Sequence, residues 1–235
     1  MLKLIRLEWK KNRIGKYCIS VIITTALLCV FIYSLAFLGI ANDPDGKLDA
    51  AEGMSGISAS IELFASIAFL IFTSVMLGNF IISAYKNKTM NVMFSYPIKR
   101  QKILVSQMMA VWLFNMAALI FTKLCLYICV YEGSKHMTSS FDIDFNMGSE
   151  MFYVQLLAKS VVTVTMSFIS LFVGMTLKSS KAAVISSFLL IFLTQANVGD
   201  FSMKENAALP IILTAISLGF AGLSVRNAEK KDLMW

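Results

Sequence analysis

Long, uninterrupted apolar runs constrain this chain more than any motif in it. Tyr17–Ile40, Ile57–Ala84, Ile103–Tyr131 and Met151–Leu177 are each long and mainly apolar. A bilayer's hydrocarbon core, ~30 Å thick, is crossed by about 20 such residues in a helix. Two further runs, Ala182–Asn197 and Ala207–Val225, are shorter but continuous. Lipid offers the backbone no hydrogen-bond partners, so a span must be a helix or part of a closed barrel. The alternating pattern of barrel strands, about ten residues long, is absent. The sequence therefore predicts an all-α membrane protein with six transmembrane helices, at 17–40, 57–84, 103–131, 151–177, 182–197 and 207–225, in one domain over 1–235. Only 15% of the residues are charged, against about 25% in soluble domains, and that argues against a soluble helical globule.

The basic residues predict the orientation. If the N-terminus is cytoplasmic, the inner segments hold Lys3, Arg6, Lys10, Lys11, Arg13 and Lys16, then Lys86, Lys88, Lys99, Arg100 and Lys102. They also hold Lys178 and Lys181, then Arg226, Lys230 and Lys231. The outer loops hold only Lys47, Lys135 and Lys204, beside many acidic residues such as Asp43, Asp45, Asp142 and Asp200. Cytoplasmic loops of membrane proteins carry the Lys/Arg excess, so both termini are expected inside. The net charge of +7 is then a signal of orientation and not of nucleic-acid binding, because it is split among four segments.

The first sixteen residues read as an amphipathic helix. Leu2, Ile5 and Trp9 share one stripe, with Lys3, Arg6, Lys10 and Arg13 around the rest. That pattern suits an interfacial helix on an anionic inner leaflet, and contact with a cytoplasmic partner is the other reading. A cleaved signal peptide is not expected: the basic region is long, and Tyr17–Ile40 exceeds the 7–15 residues of a signal's apolar core. All four cysteines, Cys18, Cys29, Cys125 and Cys129, fall inside spans. They read as small apolar core residues without disulfides, and no Cys/His spacing suits a metal. The loop 41–52 partly fits an EF-hand, but its first position is Ala41 where a carboxylate is required, so a solvated acidic turn is expected. No cofactor is expected. The single histidine, His136, cannot build a catalytic triad. No phosphate-binding G-x-x-x-x-G-K-[ST] exists, so the chain cannot itself hydrolyse ATP by that device.

Residues 85–102, YKNKTMNVMFSYPIKRQK, separate the second and third spans. Met90, Met93 and Phe94 follow i, i+3, i+4 spacing and so share one helical face. Asn87 or Thr89 can cap its start and Pro97 ends it. The apolar face either rests on the lipid surface or docks on a partner. Thr89, Met93-Phe94 and Pro97-Ile98-Lys99-Arg100, at this place in the topology, resemble the segment between helices two and three of ABC-2-type transporter permeases. There a Gly-Thr, apolar residues and Pro-x-x-Arg recur; here Lys88 stands where the glycine is usual. The resemblance extends to the basic N-terminus, the six spans and both cytoplasmic termini. It implies that 85–102 is a coupling helix, with Thr89, Met90, Met93, Phe94, Pro97 and Arg100 meeting a separate cytoplasmic ATPase. It further implies two ATPase copies and a second permease copy, identical or not, in a bacterial cytoplasmic membrane.

Three charges lie inside spans: Glu62, Lys123 and Lys159. By helix rise, both lysines sit ~12 Å from the outer span ends, and Glu62 is close to the same side. Such residues are costly in lipid and mark function by default. They read either as a structural ion pair with snorkelling to the interface or as the lining of a path for an anionic or amphipathic substrate. The polar link Asn197–Asn206 lacks the apolar re-entrant hairpin of glycan and lipid exporters. The chain resembles small bacterial permeases that export antimicrobial or amphipathic peptides, such as phenol-soluble modulins, and that resemblance implies a peptide cargo. Drug or antibiotic efflux, and a non-transporting membrane scaffold, are the alternatives.

Overall fold

Seven helices form among the residues that the computed structural model describes, 2–37, 57–83, 100–136, 147–195 and 208–230. The first, α1 (Leu2–Lys11), is the amphipathic one. The apolar runs supply α2 (Gly15–Phe37), α3 (Ile57–Leu77, continued by a π-helical turn at Gly78–Ile82), α4 (Arg100–His136), α5 (Glu150–Thr176), α6 (Ser180–Gln195) and α7 (Ala208–Lys230). The helices thus fall on the predicted runs. Four stretches, Gly15–Leu35, Ile57–Ile82, Gln101–Lys135 and Glu150–Thr176, are long and apolar enough to cross a bilayer. The protein is an all-α membrane protein on that ground. The apolar parts of α6 and α7, Ser180–Ile191 and Ile212–Arg226, are shorter.

The longest helix, α4, organises the bundle, with α1, α2, α3, α5 and α7 all packed against it. Its 37 residues rise ~55 Å, well beyond a ~30 Å hydrocarbon core, so it either tilts or projects. On the other side α5 packs against α3, α6 and α7. By contrast α2 lies at the rim, with Ile19, Ile22, Ile23, Leu27 and Val30 exposed. An apolar rim is the expected finish for a helix in lipid, whose tails are as apolar as leucine.

Two apolar clusters mark the two ends of the bundle. One joins Leu77, Ile82, Leu104, Leu171 and Ala183, with Tyr17, Met175 and Val225 against them. The other joins Ile32, Ile57, Tyr127, Val130 and Leu156, with Met147 and Phe152 packed on it. The start of α2, the end of α3, the start of α4, the turn between α5 and α6 and the end of α7 therefore meet at one end. Consecutive long helices therefore alternate in direction; residues 1, 38–56, 84–99, 137–146, 196–207 and 231–235 lie outside the described residues.

Close approach is built from small residues. A Cβ added at Gly174 would collide with the Ile82 side chain and come within 2.7 Å of the Ala183 methyl, so only glycine lets α5 lie this near α3 and α6. At the π-helical turn the Gly78 carbonyl accepts from the Ser83 N–H and from the Ser180 hydroxyl at 3.2 Å. The start of α6 is thereby tied to the end of α3. A π turn leaves the helical ladder out of register, and a hydroxyl from a neighbouring helix supplies the extra donor.

Candidate functional site

The charges inside the helices come together only in part. Lys123, on α4, is fully buried. Its Nζ donates to Glu62 Oε2 on α3 at 2.7 Å. The Tyr127 hydroxyl, one turn further along α4, lies 3.5 Å from Glu62 Oε1. The Tyr127 ring stands edge-on to Phe152 of α5 at 4.8 Å, which covers the pair on the side of the Ile57–Val130 cluster. A buried ammonium without a counter-charge is expensive, and this one has its carboxylate at direct contact. Glu62 keeps some access, its side chain being 16% exposed. Lys159 is not part of this pair. It is exposed on the outer face of α5, next to the exposed Tyr153, Val154, Leu157 and Val161. It has no ion-pair partner among the described residues.

A seam of hydroxyls runs alongside. Ser160, Thr163, Thr165, Ser167 and Ser170 of α5 are all buried. Each returns a hydrogen bond to a carbonyl on its own helix three or four residues back. Three also reach across the bundle. Ser170 shares a 2.7 Å bond with Ser74 of α3, Thr165 accepts from Trp112 Nε1 of α4 at 3.2 Å, and Thr163 lies 3.5 Å from Ser66. Between α2 and α4, Thr25 and Thr122 hydroxyls meet at 2.8 Å. In lipid such bonds hold helices together at about 0.6 kcal/mol each. The polar density of α5 is therefore turned inward, away from lipid, and most of it is spent on interhelical contact.

At the other end α1 docks on α4. Trp9 Nε1 donates to the Ala110 carbonyl at 3.0 Å, and Gln107 Nε2 donates to Glu8 Oε1 at 3.3 Å. Ile5 and Glu8 are buried there, while Lys3, Arg6, Lys10, Lys11 and Arg13 stay exposed. The tryptophan read as a lipid anchor thus hydrogen-bonds a neighbouring helix, and the basic arc faces outward. Sequence reasoning passed over Glu8, Gln107 and Asn115. The signal was there: amides at 107 and 115 interrupt an otherwise apolar run and are both fully buried.

Of the residues implicated in coupling, Thr89, Met90, Met93, Phe94 and Pro97 lie outside the described residues. Arg100 opens α4. The loop 41–52 also lies outside them. Among the described residues, no group of three His, Cys, Asp or Glu side chains is placed to hold a metal ion.

The fold and the buried charges define the class: a polytopic all-α membrane protein with an ion pair inside its bundle. Compared with known proteins, the chain is similar to YcbO of Bacillus subtilis (strain 168), itself described as uncharacterized. The two are 27% identical over 235 residues, 98% of this chain and 100% of the relative. No family model matches, and no solved structure matches.

Proposed function

We propose that this chain is the six-span permease subunit of an ATP-driven exporter of the ABC-2 type. In this reading α2 to α7 all cross a bacterial cytoplasmic membrane, both termini are inside, and a separate ATPase, present in two copies, docks on 85–102. A second permease copy completes the assembly, since six helices are few for an exporter. The cargo is an amphipathic or antimicrobial peptide, drawn from the cytoplasm or the inner leaflet.

The observation that supports this most is the gathering of basic segments at one end of the bundle. Lys16 precedes Tyr17, Lys102 precedes Leu104, Lys178 and Lys181 flank the α5–α6 turn, and Arg226 follows Val225. All those neighbours belong to, or flank, a single cluster. The basic α1 docks on the same end of α4. The end of α3, the start of α4 and α1 thus share one end of the bundle, and in this reading that end faces the motor. For the path, Glu62 and Lys123 inside the bundle and Lys159 on the face of α5 are the candidate charges, in this reading.

The test is assembly with the partner. A tagged chain should pull down an ATPase from its native membrane, and Phe94→Asp should weaken that association, since a charge set into an apolar pocket is poorly solvated. An intact complex with an unchanged ATPase rate would sink the docking assignment. Absence of any ATPase from the wild-type purification would favour the scaffold reading.

A further inference from the structure

Three of the four cysteines converge on one patch, although they come from helices far apart in the chain. Cys29 of α2 and Cys129 of α4 line one shallow, apolar cavity of about 530 Å³ with Val30, Tyr33 and Ser34. Cys29 and Cys129 thus face the same cavity, and Cys125 stands one turn earlier on α4. All three are partly exposed and none is in a disulfide.

The meeting is fixed by packing on both sides of it. One turn before Cys29, the Thr25 and Thr122 hydroxyls join at 2.8 Å. One turn after, the Tyr33 ring lies against Gly133, where an added Cβ would come within 2.6 Å of Tyr33 Cε2. The two helices run the same way, with contacts at 25 and 122 and at 33 and 133 bracketing Cys29 on α2 and both Cys125 and Cys129 on α4. The hydroxyl bond and the glycine contact hold the backbones close on either side of the thiols. A disulfide tests that approach directly, since it forms only where the Cα atoms come about 4.4–6.8 Å apart.

We propose that Cys29 and Cys129 form a reversible disulfide that staples α2 to α4, with a lipid-soluble quinone as the oxidant. The step balances. Each thiol gives up its S–H proton, one S–S bond forms, and the two electrons and two protons pass to the quinone, which leaves as hydroquinone. A quinone suits the place, because a thiol among apolar side chains is a poor target for charged oxidants in water, whereas a lipid-soluble quinone partitions into the same apolar phase as a membrane span. Cys125 is the bystander because it does not line the cavity that Cys29 and Cys129 share. The inference stands on the cysteine geometry alone and holds whether or not the chain is an exporter.

The experiment uses the full chain in native membranes. Membranes are treated with a short-chain benzoquinone whose ring is fully substituted, so that thiols cannot add to it, then denatured in detergent, and the free thiols are counted by the gel shift of a polymer-linked maleimide. The four thiols of the untreated chain should fall to two within the monomer band and return with dithiothreitol. Digestion of the oxidised, unmutated chain should yield one linked peptide pair containing Cys29 and Cys129, so the result does not depend on any variant folding. Cys18→Ala and Cys125→Ala should still lose a pair; Cys29→Ala and Cys129→Ala should lose none. Four thiols persisting after quinone, a linked pair of other composition, or a dimer band in place of the monomer overturns the proposal.

Discussion

Lys123 and Lys159 are alike in the sequence and opposite in the structure. Both sit eight residues from the outer end of their span, so helix rise gives them the same depth. Depth is legible in a sequence; azimuth is not, because rotation about the helix axis is set by which neighbours pack where. The packing turns Lys123 onto Glu62 and leaves Lys159 on the outer face of α5. The two should therefore fail differently. Lys123→Met strands the Glu62 carboxylate and should cost about 3–5 kcal/mol, the penalty for breaking a buried pair from one side. Adding Glu62→Gln should recover most of it. Lys159→Met should leave the melting temperature where it was and depress export if that lysine meets the cargo. Melting in detergent micelles, read beside an export assay, separates these. Equal loss of stability in both single variants would show that the packing assigns the wrong partner.

Helix existence was readable from apolar run length, because a span has one viable local structure in lipid, and the bounds agree to within a few residues apart from the ends of α4 and α7, which run on by about five. Breaks were harder to read. The α1 and α5 helices both end in the same hydrogen-bonded turn, with Arg13 (φ 48°) and Lys178 (φ 50°) in the left-handed position. Ile14 N–H returns to Trp9 and Arg13 N–H to Lys10; Ser179 N–H returns to Gly174 and Lys178 N–H to Met175. Glycine is usual at that position, and a basic residue there gives no turn signal in sequence. Both strained residues lie at the basic end of the bundle, where the charge itself has a use. Lys178→Gly should raise stability by about 1 kcal/mol, the left-handed penalty removed, measured by thermal or denaturant unfolding in micelles. Gly174→Val should do the reverse by about 1–3 kcal/mol, since its side chain must displace Ile82 and Ala183 in an already filled contact. If valine there is tolerated without loss, α5 and α6 are not packed as described.

At the scale of the whole molecule, orientation is a claim about charge and carries its own test. The packing brings the starts of α2 and α4, the α5–α6 turn and the end of α7 to one end, and basic residues flank each of them. At the other end the described helices carry Glu132 and Glu150, and Lys135 there is paired with Glu132 at 2.9 Å. In the proposed orientation the basic end lies in the cytoplasm, as the Lys/Arg excess of inner loops leads one to expect, and one inverted helix would break the pattern. The chain with all four cysteines replaced by alanine is the background for the measurement, and the same background removes the Cys29–Cys129 pair from the readout. Single cysteines at Asp45, Asp142 and Asp200 should react with a membrane-impermeant maleimide added to whole cells. Cysteines at Asn91, Ser179 and Ala228 should react only after the membrane is opened. The Asp200 and Ala228 pair carries the most weight, because α6 and α7 have the shorter apolar stretches, Ser180–Ile191 and Ile212–Arg226. Labelling of both from the same side would mean that α7 does not cross, leaving Arg226 and the C-terminal lysines on the far side. Labelling of Asn91 from outside would reverse the whole bundle and place 85–102 out of reach of any cytoplasmic ATPase.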